Sequence, residues 1–188
     1  MEARVVRAAD PQRVLWMNGQ GWTREIARSP GAGPWSWRIS IARSDSSATF
    51  SSFAGVEREL VLIRGNGLTL RFDDGEEVTL RSGFDRMRFA GERAVVGEPL
   101  DGPTEQLNVM WRADIVDAEV VILREGEMAL DVGAGQWLAI HARNGTVSLD
   151  GDHELAPGDS IVVAPGIYDE SIHFTATGPA LAVRIDPL

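Results

Sequence analysis

The chain has 188 residues, of which 44% are hydrophobic and 24% charged, and its formal net charge is −10. This composition is typical of a soluble globular protein, and the negative charge argues against a nucleic-acid partner, whose phosphates require clustered Lys and Arg. All 18 basic residues are Arg and Cys is absent, so the sequence offers no disulfide, thiolate ligand or thiolate nucleophile. No stretch approaches the roughly 20 apolar residues that cross a bilayer, and the chain does not start with an apolar signal core. We therefore expect a cytoplasmic protein without a membrane partner.

Short runs of alternating apolar and polar residues predict strands, whereas helical periodicity is hard to find. In chain order, the clearest runs are Trp35–Ile41, Leu68–Phe72 and Thr146–Leu149. Between such runs lie Asn-Gly and Asp-Gly turns, which favour tight hairpins because both residues tolerate positive φ. These turns fall in residues 64–67, 73–75, 143–145 and 150–152. The sequence predicts an all-β fold.

Two segments repeat the pattern strand, glycine turn, strand. They are residues 62–70 and 140–149, and each is followed by a glycine and an apolar strand that ends in glycine. A repeat of this length indicates duplicated β units. We therefore predict two jelly-roll barrels packed together, with residues 1–112 in the first half and 113–188 in the second. Residues 155–166 resemble the second conserved motif of cupins, and this resemblance implies that the two barrels form a bicupin. The sequence gives only a weak indication of a homodimer.

The residues that commonly carry chemistry are scarce. The only histidines are His141, His153 and His173, and no two are close in sequence. His141 and His173 lie in predicted strands and could face each other across one barrel. No Ser stands in a Gly-x-Ser-x-Gly elbow, and no glycine-rich loop carries a phosphate-binding Lys. We therefore predict a metal-free protein without a cofactor and assign no catalytic residue.

Polar residues in three places suggest instead a pocket that holds an anion. Arg58 follows a glycine turn and precedes the apolar run Leu60–Ile63, so it could project from a sheet edge into a cavity. Asn18 lies in a glycine-rich loop flanked by Trp, where the backbone can approach a ligand closely. Asn108 lies on a strand of otherwise apolar residues, and a core-facing amide needs a partner, which a ligand can supply.

These segments together resemble the HutD/Ves family. The resemblance is carried by Trp16-Met17-Asn18-Gly19-x-Gly21-x-Thr23-Arg24-Glu25-Ile26, Trp37-Arg38-Ile39-Ser40-Ile41-Ala42, Phe50-Ser51-x-Phe53-x-Gly55-x-Glu57-Arg58 and Asn108-Val109-Met110, in this order. It implies a two-barrel, cupin-like fold without metal-binding histidines. It also implies a non-enzymatic regulator of bacterial histidine utilisation that binds a carboxylate such as urocanate or formylglutamate.

By this resemblance, Arg58 would pair with the carboxylate of the ligand, because a guanidinium fork can grip both oxygens. The other expected ligand-binding residues are three polar and two aromatic side chains: Asn18, Ser40, Asn108, Trp37 and Phe53. On a regular strand Trp37 and Arg38 point to opposite faces, so they cannot both line the pocket. The chain departs from the family at Gln106, where an Asp is usual, which leaves any acid–base role there in doubt.

Two other functions stay open on the sequence. One is a metal-independent cupin isomerase or hydrolase that acts on a small carboxylate with a histidine as base. The other is a protein-interaction module with a vestigial pocket.

Overall fold

A computed structural model describes residues 2–10, 13–31, 33–81 and 83–188. These residues form strands and turns only, as the alternating runs predicted, and they contain no helix long and apolar enough to cross a membrane. The strands are β1 (Ala3–Val6), β2 (Arg13–Leu15), β3 (Gly21–Ser29), β4 (Trp37–Ser44), β5 (Ala48–Thr49), β6 (Glu57–Arg64), β7 (Leu68–Phe72), β8 (Glu77–Leu80), β9 (Arg86–Ala90), β10 (Val95–Pro99), β11 (Thr104–Trp111), β12 (Val116–Leu123), β13 (Gly126–Val132), β14 (Trp137–Ala142), β15 (Val147–Leu149), β16 (His153–Leu155), β17 (Ser160–Val163), β18 (Glu170–Ala176) and β19 (Ala180–Pro187).

The chain divides into two compact units, each with its own core. The central unit comprises the described residues between 13 and 114, and the terminal unit comprises residues 2–10 together with Ile115–Leu188. In the central unit, a six-stranded sheet of order β2-β3-β4-β11-β6-β9 faces a four-stranded sheet of order β5-β10-β7-β8. Leu60 and Leu62 from the first sheet pack with Leu68 and Leu70 from the second, because alternate residues of each strand point into the space between the sheets.

The terminal unit repeats eight strands of this architecture. Its sheets have the orders β12-β19-β14-β17-β1 and β13-β18-β15-β16. When each strand of the central unit is matched to the strand eight places later, β4-β11-β6-β9 becomes β12-β19-β14-β17 and β5-β10-β7-β8 becomes β13-β18-β15-β16. The duplication predicted from the sequence repeat is therefore present as an eight-stranded double sheet in each unit.

The repeated glycine turns connect the two sheets of a unit and are not hairpins. Residues 65–67 join β6 to β7, and residues 143–146 join β14 to β15, and in each case the two strands belong to different sheets. A side chain at Gly65 would lie 2.7 Å from the carbonyl oxygen of Pro103, and one at Gly145 would lie 2.8 Å from the amide nitrogen of Gly178. Both turns thus pass too close to a neighbouring loop for any larger residue. The other predicted turns, at 73–75 and 150–152, do close hairpins.

Two expectations about the architecture need correction or refinement. The predicted closed barrels are not formed: the strand pairing of the described residues gives two open sheets in each unit, because hydrogen bonding stops at edge strands such as β8 and β16. In addition, β1, which the sequence assigned to the first half, pairs with β17 of the terminal unit. Asp159 supports this pairing by accepting hydrogen bonds from the Ala8 amide at 2.7 Å and from Arg7 Nη1 at 2.8 Å.

Candidate anion-binding pocket

The central unit contains a pocket of about 430 Å³. Its floor comes from the inward face of the six-stranded sheet, and its rim comes from β2 and the turn that follows it. Arg38, Arg58, Asn108 and Met110 all line it. The register explains why they meet, because Met110 on β11 lies opposite Arg38 on β4 and opposite Arg58 on β6. Alternation then places Asn108, two residues before Met110, on the same face.

Arg58 is a buried guanidinium without a counterion. Only 6% of its surface is exposed, and no carboxylate of the described residues lies within ion-pair distance of it. Its Nε donates a hydrogen bond to Asn108 Oδ1 at 2.8 Å, whereas its Nη1 is buried without a partner. Burial, and to a smaller extent repulsion from Arg38, lowers the pKa of Arg58 to about 10. A buried cation with an unsatisfied donor is costly unless something pairs with it.

Two aromatic rings contact the guanidinium of Arg58. Its Cζ lies 5.0 Å from the ring centre of Phe50 and 5.5 Å from that of Phe89. Asn108 is itself fixed, because its Nδ2 donates to Met110 Sδ at 3.3 Å and its oxygen therefore points to Arg58. These contacts orient the guanidinium before any ligand arrives, which lowers the ordering cost of binding.

The second cation of the pocket, Arg38, is already paired. Its Nε donates to Glu25 Oε2 at 2.9 Å, and Glu25 also contacts Arg28 at 3.4 Å. Glu25 is not itself among the residues that line the pocket. Arg38 was not among the predicted site residues, whereas its neighbour Trp37 was.

Trp37 is buried and does not line the pocket. Because successive residues of a strand face opposite ways, Trp37 points away from the face that carries Arg38. Alternation along a strand correctly excludes one of the two residues from the pocket, but the sequence does not show which of them faces inward. Ser40, a further predicted site residue, does share the inward face with Arg38.

Ser40 lies beneath the pocket. Its neighbours along the strand, Arg38 and Ala42, and its cross-strand neighbour Asn108 all line the pocket, while Ser40 itself is fully buried. Its Oγ has no hydrogen-bond partner among the described residues. Arg58 Nη1, Ser44 Oγ and Gln106 Oε1, at other inward-facing positions of the same sheet, are likewise buried without a partner among the described residues.

Asn18 and Phe53 lie at the pocket as the sequence suggested. Asn18 is exposed, and its Oδ1 accepts a hydrogen bond from the Gln20 amide at 3.0 Å, which shapes the glycine-rich turn. Phe53 packs against Trp35 with ring centres 6.1 Å apart. The structure therefore brings Arg58, Asn108, Asn18 and Phe53 together around one cavity.

The sequence did not single out three other lining residues: Arg38, Phe50 and Met110. Arg38 stands two residues before Ser40 and Met110 two after Asn108, so the strand period could have found both. Phe50 fits against the backbone of Gly97, where a Cβ would lie 2.4 Å from the ring. Because Gly97 is distant from Phe50 in sequence, no local pattern around Phe50 could have predicted this contact.

Gln106, where the family resemblance led us to expect an Asp, lies outside the pocket lining and is fully buried. Its Nε2 donates to Thr104 Oγ1 at 2.6 Å, and its Oε1 has no partner among the described residues. Gln106 therefore brings no charge to the inward face that carries Arg58.

The histidines lie away from this pocket, in the terminal unit. His141 is buried, and its Nδ1 lies 3.0 Å from Ser160 Oγ, whereas His173 is exposed. The core of the unit contains Ile140 and Phe174, so each adjacent histidine points to the outside of its own sheet. The two histidines cannot face each other, contrary to expectation. Within residues 2–10, 13–31, 33–81 and 83–188, no three His, Asp or Glu side chains group closely enough to hold a metal ion.

An eight-stranded double sheet that occurs twice in one chain, with a ligand-sized pocket between the sheets of one copy, defines a cupin-like protein. The chain belongs to the HutD family, whose model matches residues 8–182. The structure of HutD from Pseudomonas fluorescens SBW25, obtained in a formate condition, is similar over the whole of both chains, with a TM-score of 0.89 and 28% sequence identity.

Two curated relatives agree with this assignment. The protein Ves of Cronobacter sakazakii is 32% identical over 76% of this chain and 77% of its own length. An uncharacterised 21.2 kDa protein from the hutC 3′ region of Pseudomonas putida is 36% identical, and that alignment spans 58% of each protein. The latter relative links the family to a histidine-utilisation locus.

Proposed function

We propose that this protein is a non-enzymatic regulatory protein of histidine utilisation that binds a small carboxylate in a metal-independent, cupin-like pocket. The observation that carries the proposal is the Arg58 guanidinium, which is buried, has no counterion among the described residues and keeps Nη1 unsatisfied. A carboxylate supplies both the missing charge and the missing acceptor, and charge-assisted hydrogen bonds to Arg are among the strongest in proteins.

Polar groups around Arg58 would orient the acid. Asn108 holds the guanidinium through Nε, which leaves the Nη groups as donors for the ligand. Ser40 Oγ is another unsatisfied group on the same face, buried beneath the lining of the pocket. Asn18 lies at the rim, where its amide can contact the distal part of the ligand. In this proposal Arg58, Asn108 and Asn18 bind and orient an anion, and the residues that line the pocket include no His, Asp or Glu that could act as a general base.

The family and its link to a histidine-utilisation locus support urocanate and formylglutamate as candidate ligands. Both carry carboxylates, and a regulator that binds such an intermediate would sense the flux through the pathway. In this proposal, the regulatory signal is the fraction of the protein that has a ligand bound, and the protein does not convert the ligand.

A thermal-shift titration with urocanate, formylglutamate, formiminoglutamate and histidine tests the proposal. The buffer must be free of formate and acetate, since small carboxylates would compete for Arg58. A ligand that binds only the folded state stabilises it by about 2.7 kcal/mol at a hundredfold excess over its Kd. We expect one of the acids to raise the melting temperature and Arg58→Ala to abolish the shift.

Arg64→Ala is the matched control, because Arg64 lies on the same strand but is exposed and outside the pocket. It should leave the ligand-induced shift unchanged. A shift that survives Arg58→Ala would contradict the proposal. Conversion of the acid during the titration would instead support the isomerase or hydrolase hypothesis.

A further inference from the structure

The charges of the pocket fit a ligand with a single carboxylate. Arg38 and Arg58 are the charged residues that line it, and Arg38 already forms an ion pair with Glu25 at 2.9 Å. Arg58 is therefore the lining cation that has no carboxylate partner among the described residues. A second carboxylate on the ligand would have to break the Arg38–Glu25 pair or lie against apolar walls, and both are costly.

The remaining surface of the pocket is mainly apolar and continues to the outside of the molecule. Trp16 and Phe50 form the inner wall, where their rings meet edge to face with centres 6.1 Å apart. At the rim, Val14 is 69%, Leu15 74% and Met17 108% exposed, and all three line the pocket. Single exposed apolar residues are ordinary, but a group of them around a cavity marks a binding surface.

The size of the pocket points the same way. Its volume of about 430 Å³ lies in the range of sites for ligands with bulky bodies, well above the needs of a four- or five-carbon acid. A small polar acid held by Arg58 would leave the aromatic wall and the apolar rim in contact with water.

We infer that the ligand is a monocarboxylate with a bulky apolar or aromatic body, its carboxylate on Arg58 and its body between the Trp16–Phe50 wall and the rim residues Leu15 and Met17. This inference rests on the proposed function and names the class of acid that the same pocket prefers. The pocket should therefore bind an aromatic monocarboxylate more tightly than a dicarboxylate.

Four probes separate the contributions of charge and apolar body: 3-phenylpropionate, its neutral amide 3-phenylpropionamide, the dicarboxylate glutarate and the short monocarboxylate butyrate. Isothermal titration of the intact chain gives a Kd for each. We expect 3-phenylpropionate to bind at least about tenfold more tightly than butyrate, because burial of the ring adds apolar contact. We expect glutarate and the amide to bind at least about tenfold more weakly than 3-phenylpropionate.

Variants of the rim test where the body of the ligand lies. The double variant Leu15→Ser, Met17→Ser should remove most of the preference for 3-phenylpropionate over butyrate. The control is Ile167→Ser, since Ile167 is 82% exposed but does not line this pocket. It should leave every Kd unchanged.

The possible failures are distinguishable. Glutarate binding as tightly as 3-phenylpropionate, with both lost in Arg58→Ala, would overturn the inference and leave the carboxylate function standing. Unchanged preference in the rim double variant would also overturn the inference. Amide and acid binding equally, or binding of all four probes unaffected by Arg58→Ala, would overturn the proposed function as well.

Discussion

The duplicated fold supplies a design for removing the buried charge without damage to the core. By strand register, Arg58 at the second position of β6 corresponds to Leu138 at the second position of β14, and Asn108 corresponds to Ala182. Leu138 and Ala182 are both buried in the core of the terminal unit. The double variant Arg58→Leu, Asn108→Ala therefore places in one unit an apolar pair that the other already accommodates.

We predict that this double variant is more stable than the natural protein when no ligand is present. The pKa of Arg58 is lowered to about 10, so at every pH below that value the charged group destabilises the folded state. At about 1.4 kcal/mol per pKa unit, this cost is roughly 3 kcal/mol, and burial of a Leu adds about 2 kcal/mol. The variant also loses the Arg58–Asn108 hydrogen bond and the contacts of Arg58 with Phe50 and Phe89, and this loss lowers the free energy of unfolding by about 3 kcal/mol. The net gain is about 2 kcal/mol.

Differential scanning calorimetry at pH 7 measures this gain, which corresponds to roughly 4–8 °C in Tm for a chain of this size. The single variant Arg58→Leu should gain less, because it leaves Asn108 Oδ1 buried without its donor. Arg64→Leu, at the exposed end of the same strand, should change the free energy of unfolding by less than about 0.5 kcal/mol. A double variant that melts at or below the natural protein would refute the reasoning, since the buried guanidinium would then carry no cost.

Three further predictions follow from other contacts. Carboxylate binding should be constant between pH 7 and 9 and weaken as the pH rises past about 10, where Arg58 loses its charge, as isothermal titration would record. Asp159→Asn should cost about 2 kcal/mol and expose the β1 amides to hydrogen exchange, because hydrogen bonds to a charged acceptor hold this segment. Desolvation raises the pKa of Asp159, but the hydrogen bonds from Ala8 and Arg7 outweigh it and the net shift is downward. The contribution of Asp159 to the free energy of unfolding is therefore present above about pH 4 and is lost in stronger acid. Gly97→Ala should weaken ligand binding at least about tenfold by displacing Phe50 from its contact with the guanidinium, whereas Gly31→Ala, with open space around it, should not.

Each of these has a clear contrary result. Affinity that already falls between pH 6 and 8 would implicate a group other than Arg58. Unchanged hydrogen exchange of residues 3–6 in the Asp159 variant would show that strand pairing alone holds β1. Equal ligand affinity for the Gly97 and Gly31 variants would show that the position of Phe50 is unimportant.

Local sequence patterns predicted local structure well and long-range structure less well. The alternating run Leu68–Phe72 coincides with β7, and Asp150-Gly151 forms a turn in which both residues have positive φ. Asn66-Gly67 also turns, yet it joins two sheets where a hairpin was expected, because turn chemistry sets backbone angles and does not choose the sheet that the next strand joins. The partner of β1 lies at the far end of the chain and left no local trace.

The candidate site shows the same division. The sequence shows a cationic residue, Arg58, next to an apolar run, but its burial depends on β9 and β11, which pair with its strand only in the fold. Trp37 was selected because aromatic residues commonly form pocket walls. To choose between Trp37 and Arg38, one must know which residues of β4 face inward, and this is fixed by the pairing of β4 with β11.

The pairing of β1 with β17 has a consequence for biosynthesis. Arg7 bonds to Asp159, 152 residues later, so the first strand leaves the ribosome long before its partner exists. The central unit, by contrast, is continuous in sequence, and all its strands can pair as soon as residue 114 has emerged. At 5–20 residues per second, β1 waits on the order of ten seconds or longer. We expect the pocket-bearing unit to form first on the nascent chain, whereas β1 can join the terminal unit only after β17 has emerged.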